Sequence, residues 1–122
     1  MKELILIIEN NEMTRSNFIE FLEAKNFNII SAGDGASGLQ LAKQFHPDLI
    51  LCEINLPSLS GFGVLKELRR DFITAKTPFI FLTSDSDSRY RAMQLGANDY
   101  LTKPVTLNKL LKSITHQWQL VG

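Results

Sequence analysis

Several kinds of residue that would narrow the function are scarce in this chain of 122 residues. There is one cysteine, Cys52, so no intrachain disulfide can form, and Cys52 with the two histidines makes no zinc-ligand spacing. A reducing, cytoplasmic setting without a structural metal is the expectation. Charge of one sign is also lacking: thirteen basic residues balance thirteen acidic ones, so no global field draws the chain toward nucleic acid or an anionic membrane. No basic stripe with base-stacking aromatics is present either, and direct nucleic-acid binding is not expected. The apolar run in "MKELILII" is far too short for a membrane span or a signal-peptide core. The segment at its end, "IIENNEMTR", is acidic where a flavin or dinucleotide site needs a glycine-rich or hydroxyl-rich phosphate loop.

No repeat, low-complexity tract or linker interrupts the chain, and 44% hydrophobic residues suffice for one core. One domain over 1–122, with a longer parent protein left open, is the expected organisation. Short apolar runs alternate with longer amphipathic segments. Strands are predicted at 3–8, 27–32, 48–53, 78–83 and 99–102, and helices at 11–25, 35–45, 61–71, 86–95 and 106–119. Three of the strands are almost continuous Leu, Ile and Phe, as parallel strands covered on both faces should be. Phe18, Phe21, Leu22 and Lys25 form one helical stripe, and Leu107, Leu110, Leu111, Ile114 and Trp118 another, with Thr106 as N-cap. Gly96 is placed to end the fourth helix in a left-handed C-cap, and Pro104 to stop the fifth strand. Five such units imply an α/β fold, a doubly wound (βα)5 parallel sheet with right-handed crossovers.

In an open parallel sheet the binding crevice lies at the C-terminal strand ends. There the sequence puts Glu9 and Asn10 after strand 1, Glu53 at the end of strand 3, Thr83 and Ser84 at strand 4, and Lys103 after strand 5. In combination, "LILIIEN", "PDLILCEINLP", "FLTS" and "GANDYLTKPV" resemble the receiver domain of two-component response regulators, in order and over nearly the whole chain. The resemblance implies a flavodoxin-like five-stranded sheet of order 2-1-3-4-5. It also implies an aspartate that a partner histidine kinase phosphorylates with Mg2+, and a relay through a hydroxyl and an aromatic to the face of helix 4, strand 5 and helix 5. Position by position, the family's acidic pair falls on Glu9 and Asn10, its acceptor aspartate on Glu53, and its hydroxyl switch on Thr83. Its pairing lysine falls on Lys103 and its switch aromatic on Tyr100. Asn55 takes the place whose backbone carbonyl completes the metal site, Ser84 is the small residue at the pocket mouth, and the Lys103–Pro104 bond is expected to be cis.

Two departures from that pattern carry consequences. Mg2+ demands near-octahedral oxygen coordination from closely placed carboxylates, whereas Asn10 supplies only a neutral amide and the pocket holds two carboxylates against one lysine. Weak or absent Mg2+ binding, and no other cofactor, is expected. Glu53 adds a methylene that shifts its oxygens by on the order of 1 Å, and in-line phosphoryl transfer depends on positioning. Three roles for Glu53 stay open: a partial mimic of the phosphorylated state within reach of Lys103 and Thr83, a neutraliser of Lys103 in an inert scaffold, or a residual acceptor.

The segment between Thr83 and Gly96 is about two residues shorter than usual for the resemblance, which places a deletion in the loop before helix 4. For output, Arg89, Tyr90 and Arg91 on helix 4 with Lys109, Lys112, His116 and Trp118 on helix 5 are candidates for a contact face. The expected function is an atypical, non-enzymatic receiver acting through a kinase, output domain, effector or second copy of itself. The alternative is a flavodoxin-like domain binding a small anionic ligand beside Lys103 and Thr83.

Overall fold

Strands that are apolar at consecutive positions need cover on both faces, and the computed structural model, which describes residues 2–119, supplies it. The order along the chain is β1 (Leu4–Ile8), α1 (Glu12–Ala24), β2 (Asn28–Ala32), α2 (Gly35–Phe45), β3 (Leu49–Cys52), α3 (Gly61–Arg70), β4 (Phe79–Thr83), α4 (Arg89–Gln94), β5 (Asp99–Thr102) and α5 (Leu107–Gln119). All strand pairings are parallel, and the sheet runs β2-β1-β3-β4-β5. This is the flavodoxin-like order that the resemblance implies.

Successive side chains of a strand point to opposite faces, and the core divides accordingly. Leu6, Ile8, Ile50, Cys52, Phe79 and Phe81 pack with α2, α3 and α4. Ile5, Ile7, Leu49, Leu51, Ile80 and Leu82 pack with α1 and α5. Phe81 lies in edge-to-face contact with Phe62 and Phe79, at centroid separations of 5.4 and 4.9 Å. Truncating such a ring to alanine costs about 3–5 kcal/mol. Among the described residues no helix is long and apolar enough to cross a membrane.

The helix starts obey side-chain capping chemistry. Asn11, Asp34, Ser60 and Thr106 accept backbone N–H groups at the first turns of α1, α2, α3 and α5. Gly96 ends α4 at φ +102°, where a Cβ would be strained. The exception is α4 itself, which begins at Arg89 rather than near position 86. Asp85 draws the intervening chain into a turn: its carboxylate accepts the Asp87 N–H at 2.8 Å and the Ser88 hydroxyl at 2.7 Å, while its own N–H donates to Thr83 Oγ1. Short polar side chains bonding their own backbone compete with helix formation, so α4 is only six residues long.

Candidate functional site

Each charged residue at the carboxyl edge of the sheet sits one position past a strand and is fixed by one more ladder bond. The Glu9 N–H donates to Ala32 O at 3.0 Å, that of Glu53 to Ile8 O at 3.0 Å, and that of Lys103 to Thr83 O at 2.8 Å. This extension of the β-pattern turns all three side chains toward one point. Glu9 and Glu53 are buried, at 4% and 8% exposure. Lys103 Nζ bridges them, 2.5 Å from Glu9 Oε1 and 3.1 Å from Glu53 Oε1. Burial of the ammonium pulls its pKa down, but the hydrogen bonds and charges of the two glutamates outweigh that and leave it above the usual lysine value.

The other carboxylate oxygens are held by backbone. Glu9 Oε2 accepts the Asn11 N–H at 2.9 Å, and Glu53 Oε2 accepts the Ile54 N–H at 2.7 Å. Which way the Asn10 amide points is set by its neighbours, because the tip directed into the pocket faces only acceptors. With its nitrogen there, Asn10 donates to Glu9 Oε2 at 3.1 Å and to the backbone carbonyl of Asn55 at 3.3 Å. Every carboxylate oxygen therefore already accepts a hydrogen bond from the chain. Among the described residues, no group of three or more His, Cys, Asp or Glu side chains is placed to hold a metal ion. The groups at this point that could meet a six-coordinate Mg2+ are Glu9, Glu53 and the Asn55 carbonyl, and the Lys103 ammonium stands between the two carboxylates.

The remaining candidates are brought to the same edge, though not all to the same point. Thr83 is fully buried, and its hydroxyl oxygen accepts the Asp85 N–H at 3.2 Å. No hydrogen bond joins that hydroxyl to the Glu53 carboxylate or the Lys103 ammonium among the described residues, so Glu53 has the expected lysine partner and lacks the expected hydroxyl. Ser84 is exposed at the rim, and Pro104 comes after the cis bond that the resemblance implies. The Tyr100 ring is buried, its centroid 6.1 Å from that of Phe81, and its hydroxyl donates to the Asp85 carbonyl. Burial, and after it the charge of Asp85, raises the Tyr100 pKa. Beneath Glu53, burial pushes the Cys52 thiol well above its ordinary value, helped by the charges of Glu53 and Glu9.

Sequence reasoning missed three contributors. Arg15 reaches from α1 to donate to the Glu9 carbonyl at 2.7 Å, which no local pattern announces. Asp85 receives Tyr100 and shapes the loop before α4; the spacing of Asp85 and Ser88 was its one signal. Asp99 joins three elements, accepting the Ser113 hydroxyl from α5 at 2.5 Å and lying 3.8 Å from the Arg89 guanidinium of α4. Arg89 also donates to the Tyr100 carbonyl at 2.9 Å.

On the predicted contact face, Tyr90, Lys109, Lys112 and His116 are exposed or half-buried, and the last three border a shallow hollow of about 440 Å³ over β5 and α5. Two members of that set point elsewhere. Arg91 lies over the Phe62 ring of α3 at 4.2 Å, and Trp118 packs on Phe27 and donates to the Asp48 carbonyl at 3.1 Å. Trp118 thus continues the apolar stripe of α5 past the other end of the sheet. There it borders a groove of about 600 Å³ with Pro47, Phe72, Ile73 and Pro78. By contrast, the cavity touching Glu9 and Glu53 has a volume of about 10 Å³.

Comparison with known proteins agrees with this geometry. Residues 5–115 match the family described as the response regulator receiver domain. The chain is 36% identical over 111 residues to a probable transcriptional regulator, ycf27, of Porphyridium aerugineum, with 89% of this chain covered but only 45% of that protein's length. It is 33% identical over 116 residues to the polar-differentiation response regulator DivK of Brucella ovis, covering 93% of this chain and 94% of that one. Among solved structures, the receiver domain of the sensor histidine kinase PA1611 from Pseudomonas aeruginosa, described with a magnesium ion coordinated in its active-site cleft, superimposes with a TM-score of 0.89. The identity is 26%, and 96% of this chain and 98% of that one are covered. The order of the five strands, the edge at which Glu9, Glu53 and Lys103 meet, and the family match over nearly the whole chain lead to one assignment: the chain belongs to the response regulator receiver domain family.

Proposed function

We propose that this receiver works as a non-enzymatic signalling module that binds a protein partner without a conventional aspartyl-phosphate cycle. The partner classes are a kinase, an output domain, an effector or a second copy of the chain. The observation that carries the reading is the closed pocket: Lys103 bridges Glu9 and Glu53, and the remaining oxygens are bonded to Asn10, Asn11 and Ile54. Glu53 also carries one methylene more than the aspartate expected of an acceptor, and in-line phosphoryl transfer depends on the position of the attacking oxygen. Mg2+ binds weakly or not at all on this reading, since it must displace an ammonium and an amide that already satisfy its ligands.

The same contacts support a domain held in one state. Glu53 touches Lys103 as a mimic of a phosphoryl group would, but carries less charge than a phosphoryl group and does not recruit Thr83, so the mimicry is partial. Tyr100 is inside, bonded to Asp85, and Arg89, Asp99 and Ser113 tie α4, β5 and α5 together. Tyr90, Lys109, Lys112 and His116 lie on that tied face and are the residues through which a partner is bound.

The test is intact-mass measurement after incubation with acetyl phosphate and Mg2+. The unmodified mass is expected throughout. A gain of one phosphoryl group located on Glu53 overturns the reading.

A further inference from the structure

We infer that the Asn10 amide and the Lys103 ammonium together act as a built-in replacement for a divalent cation, and that Asn10 is the residue that excludes the metal. This rests on the proposed phosphorylation-independent reading and names the device behind it. The convergence point is lined by oxygens: both from Glu9, one from Glu53 and the carbonyl of Asn55. Oxygens crowded together need positive charge or donated hydrogens among them. Lys103 supplies the charge between Glu9 and Glu53. Asn10 supplies two N–H groups directed at Glu9 Oε2 and Asn55 O, at 3.1 and 3.3 Å. A cation at that point must turn the exposed amide to its oxygen side and forfeit both of those hydrogen bonds.

Aspartate has the shape of asparagine and no donor, which makes the exchange a clean test. In Asn10→Asp, an anionic oxygen faces Glu9 Oε2 and Asn55 O, turning two hydrogen bonds into two repulsions. That arrangement is unstable alone and has the oxygen set that Mg2+ prefers. The experiment monitors thermal unfolding of the wild-type chain, Asn10→Asp and Asn10→Ala, each in EDTA and in millimolar Mg2+. Wild type is expected to unfold at the same temperature in both. Asn10→Asp should lose about 5 °C in EDTA and regain most of it in Mg2+, since a ligand bound only by the native state stabilises it by mass action. Asn10→Ala, which removes the donors without adding a ligand, should lose stability and regain none in Mg2+.

Two results overturn the inference: a Mg2+-dependent rise in wild type, or no greater rise in Asn10→Asp than in Asn10→Ala. If Asn10→Asp does not fold in EDTA, refolding it with and without Mg2+ gives the same readout, and failure under both conditions also overturns the inference. The behaviour of the two variants is separable from the functional reading, which falls if the wild-type chain accepts a phosphoryl group whatever the variants do.

Discussion

Lys103 is one cation shared by two buried carboxylates, so its removal is felt at both. Lys103→Met keeps most of the stem's volume and leaves Glu9 and Glu53 facing one another, at a cost of about 2 kcal/mol by urea unfolding; Glu53→Gln, which keeps an acceptor for the ammonium, should cost less. The pH dependence has a definite sign. Because the folded-state pKa of Lys103 stands above its ordinary 10.5, the contribution is fully present below about pH 10.5 and is lost as pH rises through the higher folded value. The urea midpoint of wild type should therefore fall more steeply above pH 10.5 than that of Lys103→Met. Glu9, Glu53 and Lys103 were all legible in the sequence, because a residue immediately after a parallel strand lands at the carboxyl edge by geometry alone. The orientation of Asn10 was not legible, since it depends on a carbonyl 45 positions along the chain at Asn55.

Between elements, close backbone approach sets the position of Glu53. A Cβ on Gly61, the first residue of α3, would lie 2.2 Å from the Glu53 carbonyl oxygen and 2.9 Å from the Phe81 ring. Gly61→Ala must push α3 away from the loop that carries Glu53, and a loss of about 2–3 kcal/mol in chemical unfolding is expected. At the start of α2, Asp34 accepts N–H and hydroxyl groups from Ser37 and Ser58, which hold its carboxyl down at about 2. A depressed carboxylate stabilises above its unfolded value of 3.8 and loses that contribution as pH falls toward about 2. In acid titration, Asp34→Asn should accordingly flatten the stability loss between those limits. Helix starts with a side-chain cap could be read from sequence to within a residue or two. The start of α4 could not, because Asp85 and the serines around it favour a turn as readily as a first helical turn.

Across the whole molecule, the two-sided core was the most legible feature: continuous Leu, Ile and Phe in β1, β3 and β4 admit little besides a buried parallel sheet. Trp118 was harder, because an aromatic at helical spacing suits a core stripe and an exposed face equally, and its partner Phe27 lies in another part of the chain. The fold delivers two acids and a lysine to one edge, where the chain's own donors bond every carboxylate oxygen, and the proposed reading takes that edge as closed. The most direct test of that closure is the amide 1H–15N correlation spectrum with and without Mg2+ and beryllofluoride, an analogue of the phosphoryl group. The account predicts superimposable spectra, with the signals of Glu53, Thr83, Asp85 and Tyr100 unmoved. Saturable shifts at those residues, spreading to α4 and β5, would contradict it.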